Sequence, residues 1–142
     1  MKRTDVNVIV AIGLAGAMGA LARYGIEVAG NVGRDGFPWP TLVVNVSGAF
    51  ALGVVYTLLE NRVRPTPYLR AFLAIGLIGA YTTFSTWTAE DALLIRDGAL
   101  WMAALYAFAT VFASIFSTVG GMAAGRAWPP GAGGRHDTRR RR

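Results

Sequence analysis

Four long stretches of the chain carry no charge at all. Residues 6–22, 41–59, 71–89 and 98–125 are apolar runs broken only by small and hydroxylated side chains and by Asn7 and Asn45. About 20 apolar residues span the hydrocarbon core of a bilayer, so each run predicts one membrane-crossing helix. The polar segments between them are short. The pattern predicts an all-α membrane protein of four transmembrane helices, with spans at about 6–28, 41–59, 71–94 and 98–122. Residues 1–125 form the membrane domain, and residues 126–142 a basic, polar, disordered C-terminal tail.

Each span has its own character. The first is rich in small residues (Ala11, Gly13, Ala15, Gly16, Ala17, Gly19, Ala20), which let helix backbones approach closely in lipid. Its glycine spacing is not that of a dinucleotide loop, and no β-α-β context surrounds it. It follows Lys2 and Arg3 as a signal peptide would, but Arg23 and Tyr24 come directly after it and three more spans follow, so it reads as a retained helix. The second span opens near Trp39 and carries Asn45, Ser47 and Gly48. Trp101 and Trp128 flank the fourth, where amphipathic rings sit at the lipid–water interface. The third is irregular. Gly76, Gly79, Thr82, Thr83, Ser85, Thr86 and Thr88 fall at membrane depth, where irregular backbone survives only against protein or a watery cavity. The expectation is a broken helix, with the break between Gly79 and Ser85.

Composition narrows the chemistry. Only 15% of the 142 residues are charged, there is no cysteine, and the single histidine, His136, lies in the tail. Disulfides, thiolate metal sites and intramembrane histidine catalysis are excluded. The chain reads as no enzyme. The terminal run Arg139 to Arg142 reads as a solvated cytoplasmic tail near anionic headgroups, with no nucleic acid as partner. Basic residues are strongly one-sided: eleven on the side of the termini and the 60–70 loop, against two, Arg34 and Arg96, on the other. Lys and Arg bias orients spans, so both termini are expected in the cytoplasm, with the chain in the cell membrane in one fixed orientation.

Polar groups at bilayer depth are functional by default. Asn45 sits in the second span, and Thr82, Thr83, Ser85 and Thr86 at the break. Tyr106, Thr110, Ser114 and Ser117 form one stripe along the fourth span at helical spacing. The sets are neutral and rich in donors. Glu27, Glu60, Glu90 and Asp91 are expected toward helix ends, leaving no central carboxylate for proton coupling. Neutral donors suit a small anion that must shed water without being trapped. Phe84 and Trp87, three apart on one helix face, could add their electropositive ring edges.

The segments Gly16-Ala17-Met18-Gly19-Ala20-Leu21-Ala22-Arg23-Tyr24, Thr41-Leu42-Val43-Val44-Asn45-Val46-Ser47-Gly48 and Gly79-Ala80-Tyr81-Thr82-Thr83-Phe84-Ser85-Thr86 resemble the CrcB/Fluc family of fluoride channels. The resemblance implies an antiparallel dimer with two fluoride pores that give passive fluoride export and resistance. It places Asn45, Thr83, Phe84, Ser85, Trp87, Tyr106, Thr110 and Ser114 along the pore, with Arg23 near its vestibule. It implies a structural sodium ion at the dimer centre, held by backbone carbonyls of Gly79 and Thr82. Trp87 departs from the family, where this position is a second pore phenylalanine. The one-sided charge departs as well, because one sequence inserting both ways needs balanced loops. The charge bias therefore favours pairing with a separate, oppositely oriented homologue. An alternative is a non-conducting structural partner of a heterodimer, which would tolerate apolar replacements of Asn45 and Phe84. A proton-coupled exporter of organic cations is a third reading, disfavoured by the missing central carboxylate.

Overall fold

A computed structural model describes residues 3–30, 36–61 and 67–128. Lys2, Arg34, Arg62, Arg64 and the tail from residue 129 lie outside the described residues. The structure is helical throughout the described residues: α1 (Arg3–Ala29), α2 (Trp39–Asn61), α3 (Pro67–Arg70), a π-helical stretch (Ala71–Ile78), α4 (Gly79–Tyr81), α5 (Ser85–Arg96) and α6 (Leu100–Ala127). The pieces from α3 to α5 together make the third span. Four segments are long and apolar enough to cross a membrane: Val6–Ala29, Trp39–Glu60, Tyr68–Arg96 and Leu100–Ala127. At 1.5 Å per residue the 28 residues of α6 reach about 42 Å, enough to enter both headgroup layers. The helix continues through Arg126 and Ala127, which the sequence alone assigns to the tail.

Local chemistry sets the ends. Pro40 falls in the first turn of α2, where its missing N–H has no intrahelical partner to lose. Between α5 and α6 the chain reverses within three residues. Gly98 takes φ 81°, Ala99 N–H donates to the Leu94 carbonyl at 2.9 Å and Gly98 N–H to Ile95 at 3.1 Å. This pair of bonds is a Schellman closure, and it needs a left-handed residue at Gly98.

Packing follows the small residues. A side chain at Gly121 would strike the Phe50 carbonyl, and one at Gly53 the Thr118 carbonyl, so α2 and α6 press backbone to backbone. α1 meets the π-helical stretch in the same way, Gly19 against Leu77 and Gly76 against Ile12. Leu14, Leu21, Phe108 and Phe116 are exposed, as expected of surfaces that face acyl chains. Trp39, Trp101 and Trp128 are also exposed, at helix ends.

The third span is broken where the hydroxyl-rich segment lies. Thr82 turns to extended backbone, ψ 153°, and helix resumes at Ser85. The break thus occupies residues 82–84, inside the expected window. The preceding π-helical turns have no counterpart in the sequence reading.

Candidate functional site

The break is held by side chains from other helices. Thr83 N–H donates to Asn45 Oδ1 at 2.9 Å, and Asn45 Nδ2 donates to the Thr83 carbonyl at 2.9 Å. One carboxamide therefore satisfies both backbone groups of the residue at the gap. Thr83 Oγ1 accepts from Thr86 N–H at 3.1 Å, filling one of the donors left open at the start of α5. Thr82 Oγ1 returns to the Ile78 carbonyl at 3.0 Å. From α1, Arg23 Nε reaches the Ala80 carbonyl at 3.4 Å while its Nη1 contacts Glu27 at 3.3 Å. Gly48 stands where any side chain would strike the Thr82 methyl group, so α2 lies directly against the break.

Beside this knot lies an open cavity of about 400 Å³. Asn45, Gly79, Thr82, Thr83, Phe84, Trp87, Thr110 and Ser114 all line it. Eight of the eleven candidate residues taken from the sequence therefore share one cavity. Phe84 is largely exposed and meets Trp87 edge-on, with ring centroids 5.1 Å apart. Three donors on its walls are buried with no acceptor: Thr110 Oγ1, Ser114 Oγ and Trp87 Nε1. Buried polar groups are nearly always hydrogen-bonded, so these three are candidates for a partner from outside the chain.

The other candidates lie elsewhere. Ser85 is exposed and only 3.4 Å from Thr83 Oγ1, outside the cavity lining. Arg23 sits on the α1 side of the break. Tyr106 is fully buried, and its hydroxyl donates to Glu90 Oε2 at 2.7 Å. Ser117, the last residue of the α6 stripe, donates to the Val46 carbonyl at 2.8 Å and ties α6 to α2.

Glu90 and Thr41 were not singled out in the sequence. Thr41 Oγ1 donates to Glu90 Oε1 at 2.9 Å, so both carboxylate oxygens are bonded within a Thr41–Glu90–Tyr106 cluster. The expectation that Glu90 lies toward a helix end is corrected in one respect. It stands six residues inside α5, about 9 Å along the axis, and joins the head of the α6 polar stripe. Any ionisable residue within a membrane span is a functional candidate, and that signal alone could have marked it. Asp91, its neighbour, keeps one buried oxygen without a donor but does not line the cavity. No cluster of three or more His, Cys, Asp or Glu side chains occurs among the described residues.

Comparison with known proteins identifies the family. A protein from Rhodospirillum centenum named fluoride-specific ion channel FluC is 42% identical over 123 residues, covering 85% of this chain and 94% of its own length. A protein of the same name from Nitratidesulfovibrio vulgaris is 50% identical over 103 residues, covering 70% and 81%. A third, from Thermus thermophilus, is 42% identical over 108 residues, covering 74% and 84%. The family model described as "CrcB-like protein, Camphor Resistance (CrcB)" matches residues 10–122, the four spans and the break between them, and the chain is thus a multi-pass membrane protein that belongs to the CrcB-like family.

Proposed function

We propose that this chain is a subunit of a fluoride-selective channel that lets the ion leave the cell passively, without a catalytic step. The observation that carries the reading is the cavity at the broken helix, with its unpartnered Thr110 and Ser114 hydroxyls. Fluoride is small and strongly hydrated, and only several close donors can replace its water. A neutral lining does this without the deep well that a fixed positive charge would create. The relatives' names supply the identity of the ion.

The pore runs past Asn45, Thr83, Phe84, Ser85, Trp87, Thr110 and Ser114, with Tyr106 farther along α6 and Arg23 at a vestibule. Asn45 has a second Nδ2 hydrogen beyond the one given to Thr83 and lines the cavity, so it can position the break and meet the ion together. Phe84 offers its ring edge.

A second subunit of the family covers this face in opposite orientation. The break, Phe84 and the Ser47–Tyr81 hydroxyl pair at 2.8 Å are exposed on one chain, and lipid does not tolerate open irregular backbone. Because basic residues crowd one side, the partner is a separate homologue rather than a second copy, and both termini of this chain are cytoplasmic. A structural sodium ion fits the same face. Gly79 and Thr82 line the open cavity at the end of a helix, and carbonyls at a helix break are suitable hard ligands. When bound, the ion supplies a fixed positive charge at the subunit boundary.

The test is fluoride efflux from liposomes, with chloride as control. The chain alone should be silent, and co-expression with an oppositely oriented homologue should give fast, fluoride-selective efflux. Fast efflux from the chain alone would overturn the heterodimer while keeping the channel. Silence in both preparations would overturn the channel.

A further inference from the structure

The indole of Trp87 is placed to do more than pack. Its body rests against the buried cluster of Leu94, Ala103 and Tyr106, and its face meets the edge of Phe84. These contacts fix the ring and leave it no freedom to seek a partner elsewhere. Its Nε1 is buried and has no acceptor, and the residue lines the same cavity as Thr110 and Ser114, whose hydroxyls are also unpartnered. An indole nitrogen can only donate, and buried indoles normally find an acceptor. Asp91 Oδ1, one turn along α5, is a buried oxygen that is unpartnered as well, so it does not accept from the indole. A hydroxyl can rotate to a new partner, whereas the indole N–H is fixed to its ring, and no group among the described residues accepts from it.

We propose that Trp87 Nε1–H is a direct hydrogen-bond donor to the anion, which gives this chain a tighter and more slowly emptied site than a hydrocarbon ring edge would provide. The inference rests on the fluoride-channel reading and adds a specific donor to it. A hydrogen bond to an ionised acceptor is among the stronger ones. The site therefore saturates at lower fluoride and releases the ion more slowly.

The test uses the full chain in lipid nanodiscs, in whichever assembly conducts fluoride, with its four tryptophans labelled with ¹⁵N at the indole. On titration with sodium fluoride the Trp87 Nε1–H resonance should move far downfield and show a scalar coupling to ¹⁹F, while those of Trp39, Trp101 and Trp128 stay. Sodium chloride should move none of the four. In parallel, Trp87 is replaced by benzothienylalanine, which keeps the ring shape and lacks the N–H. Half-saturation of efflux should then rise about tenfold, the size expected for loss of one hydrogen bond to a charged group, with an equal or higher maximal rate. Trp87→Phe should shift in the same direction. An indole that ignores fluoride in a conducting preparation would overturn the proposal, as would an unchanged half-saturation in the benzothienylalanine protein. Both results would leave the channel reading intact. A folded preparation that conducts no fluoride would refute the channel reading itself, and this inference with it.

Discussion

Asn45 illustrates how much a single side chain can settle in a membrane. Its carboxamide closes both backbone valences of Thr83. Asn45→Leu leaves an N–H and a carbonyl unsatisfied at about 1–3 kcal/mol each, and is expected to lower the melting temperature in detergent and abolish efflux. Asn45→Asp keeps the acceptor for Thr83 N–H and should fall between the two in a thermal unfolding assay. Tyr106→Phe removes a buried donor to Glu90, a loss of about 1.5–3 kcal/mol for a bond to a charged group, measurable in the same assay. Asn45, Thr110 and Ser114 were legible in the sequence because a polar residue at bilayer depth needs a reason. Glu90 and Thr41 were not. Thr41 opens an apolar run and Glu90 lies near Arg96, so each looks interfacial until the fold joins them. Ser117 had the right spacing and the wrong partner, since its hydroxyl is taken by the α2 backbone. Spacing gives the face of a helix, but not which neighbour stands opposite.

Among the elements, the spans and the break were legible for different reasons. An apolar run of about 20 residues has few folds open to it in lipid, so the four helices follow from composition alone. The break announces itself through clustered glycine and threonine at membrane depth. The π-helical turns at Ala71–Ile78 leave no such mark, because their all-apolar sequence suits an α-helix equally well. They pack closely against α1, Leu77 at Gly19 and Gly76 at Ile12, a contact that only three dimensions reveal. Helix contacts at glycine give a direct test. Gly121→Val drives a side chain into the Phe50 carbonyl and should cost about 1–3 kcal/mol by overpacking. Gly13→Val meets no atom within 4 Å and should change stability by less than about 0.5 kcal/mol. Thermal unfolding of the two purified variants checks the contrast.

At the scale of the whole molecule, charge and shape pull in different directions. Phe84 at the break is exposed and suits the oppositely oriented partner proposed above, while the expected topology puts most of the basic residues on one side. Because the chain has no cysteine, single exposed positions can be labelled without background. Leu100→Cys and Ala127→Cys mark the two ends of α6. An impermeant thiol reagent applied to intact cells should label the first and spare the second. Comparable labelling of both would show dual insertion and remove the case for a separate homologue.

The clamp on Thr83 has a consequence for behaviour over time. An unwound segment in a membrane helix is often where a transporter bends, yet here both backbone groups at the gap are tied to α2 and a third tie reaches the Ala80 carbonyl from α1. A hinge so fastened cannot swing without breaking several bonds at once. The pathway beside it is then a fixed bore and not a door. Its single-channel current should run steadily, indifferent to voltage history, with the membrane potential and the fluoride gradient setting how fast the ion departs.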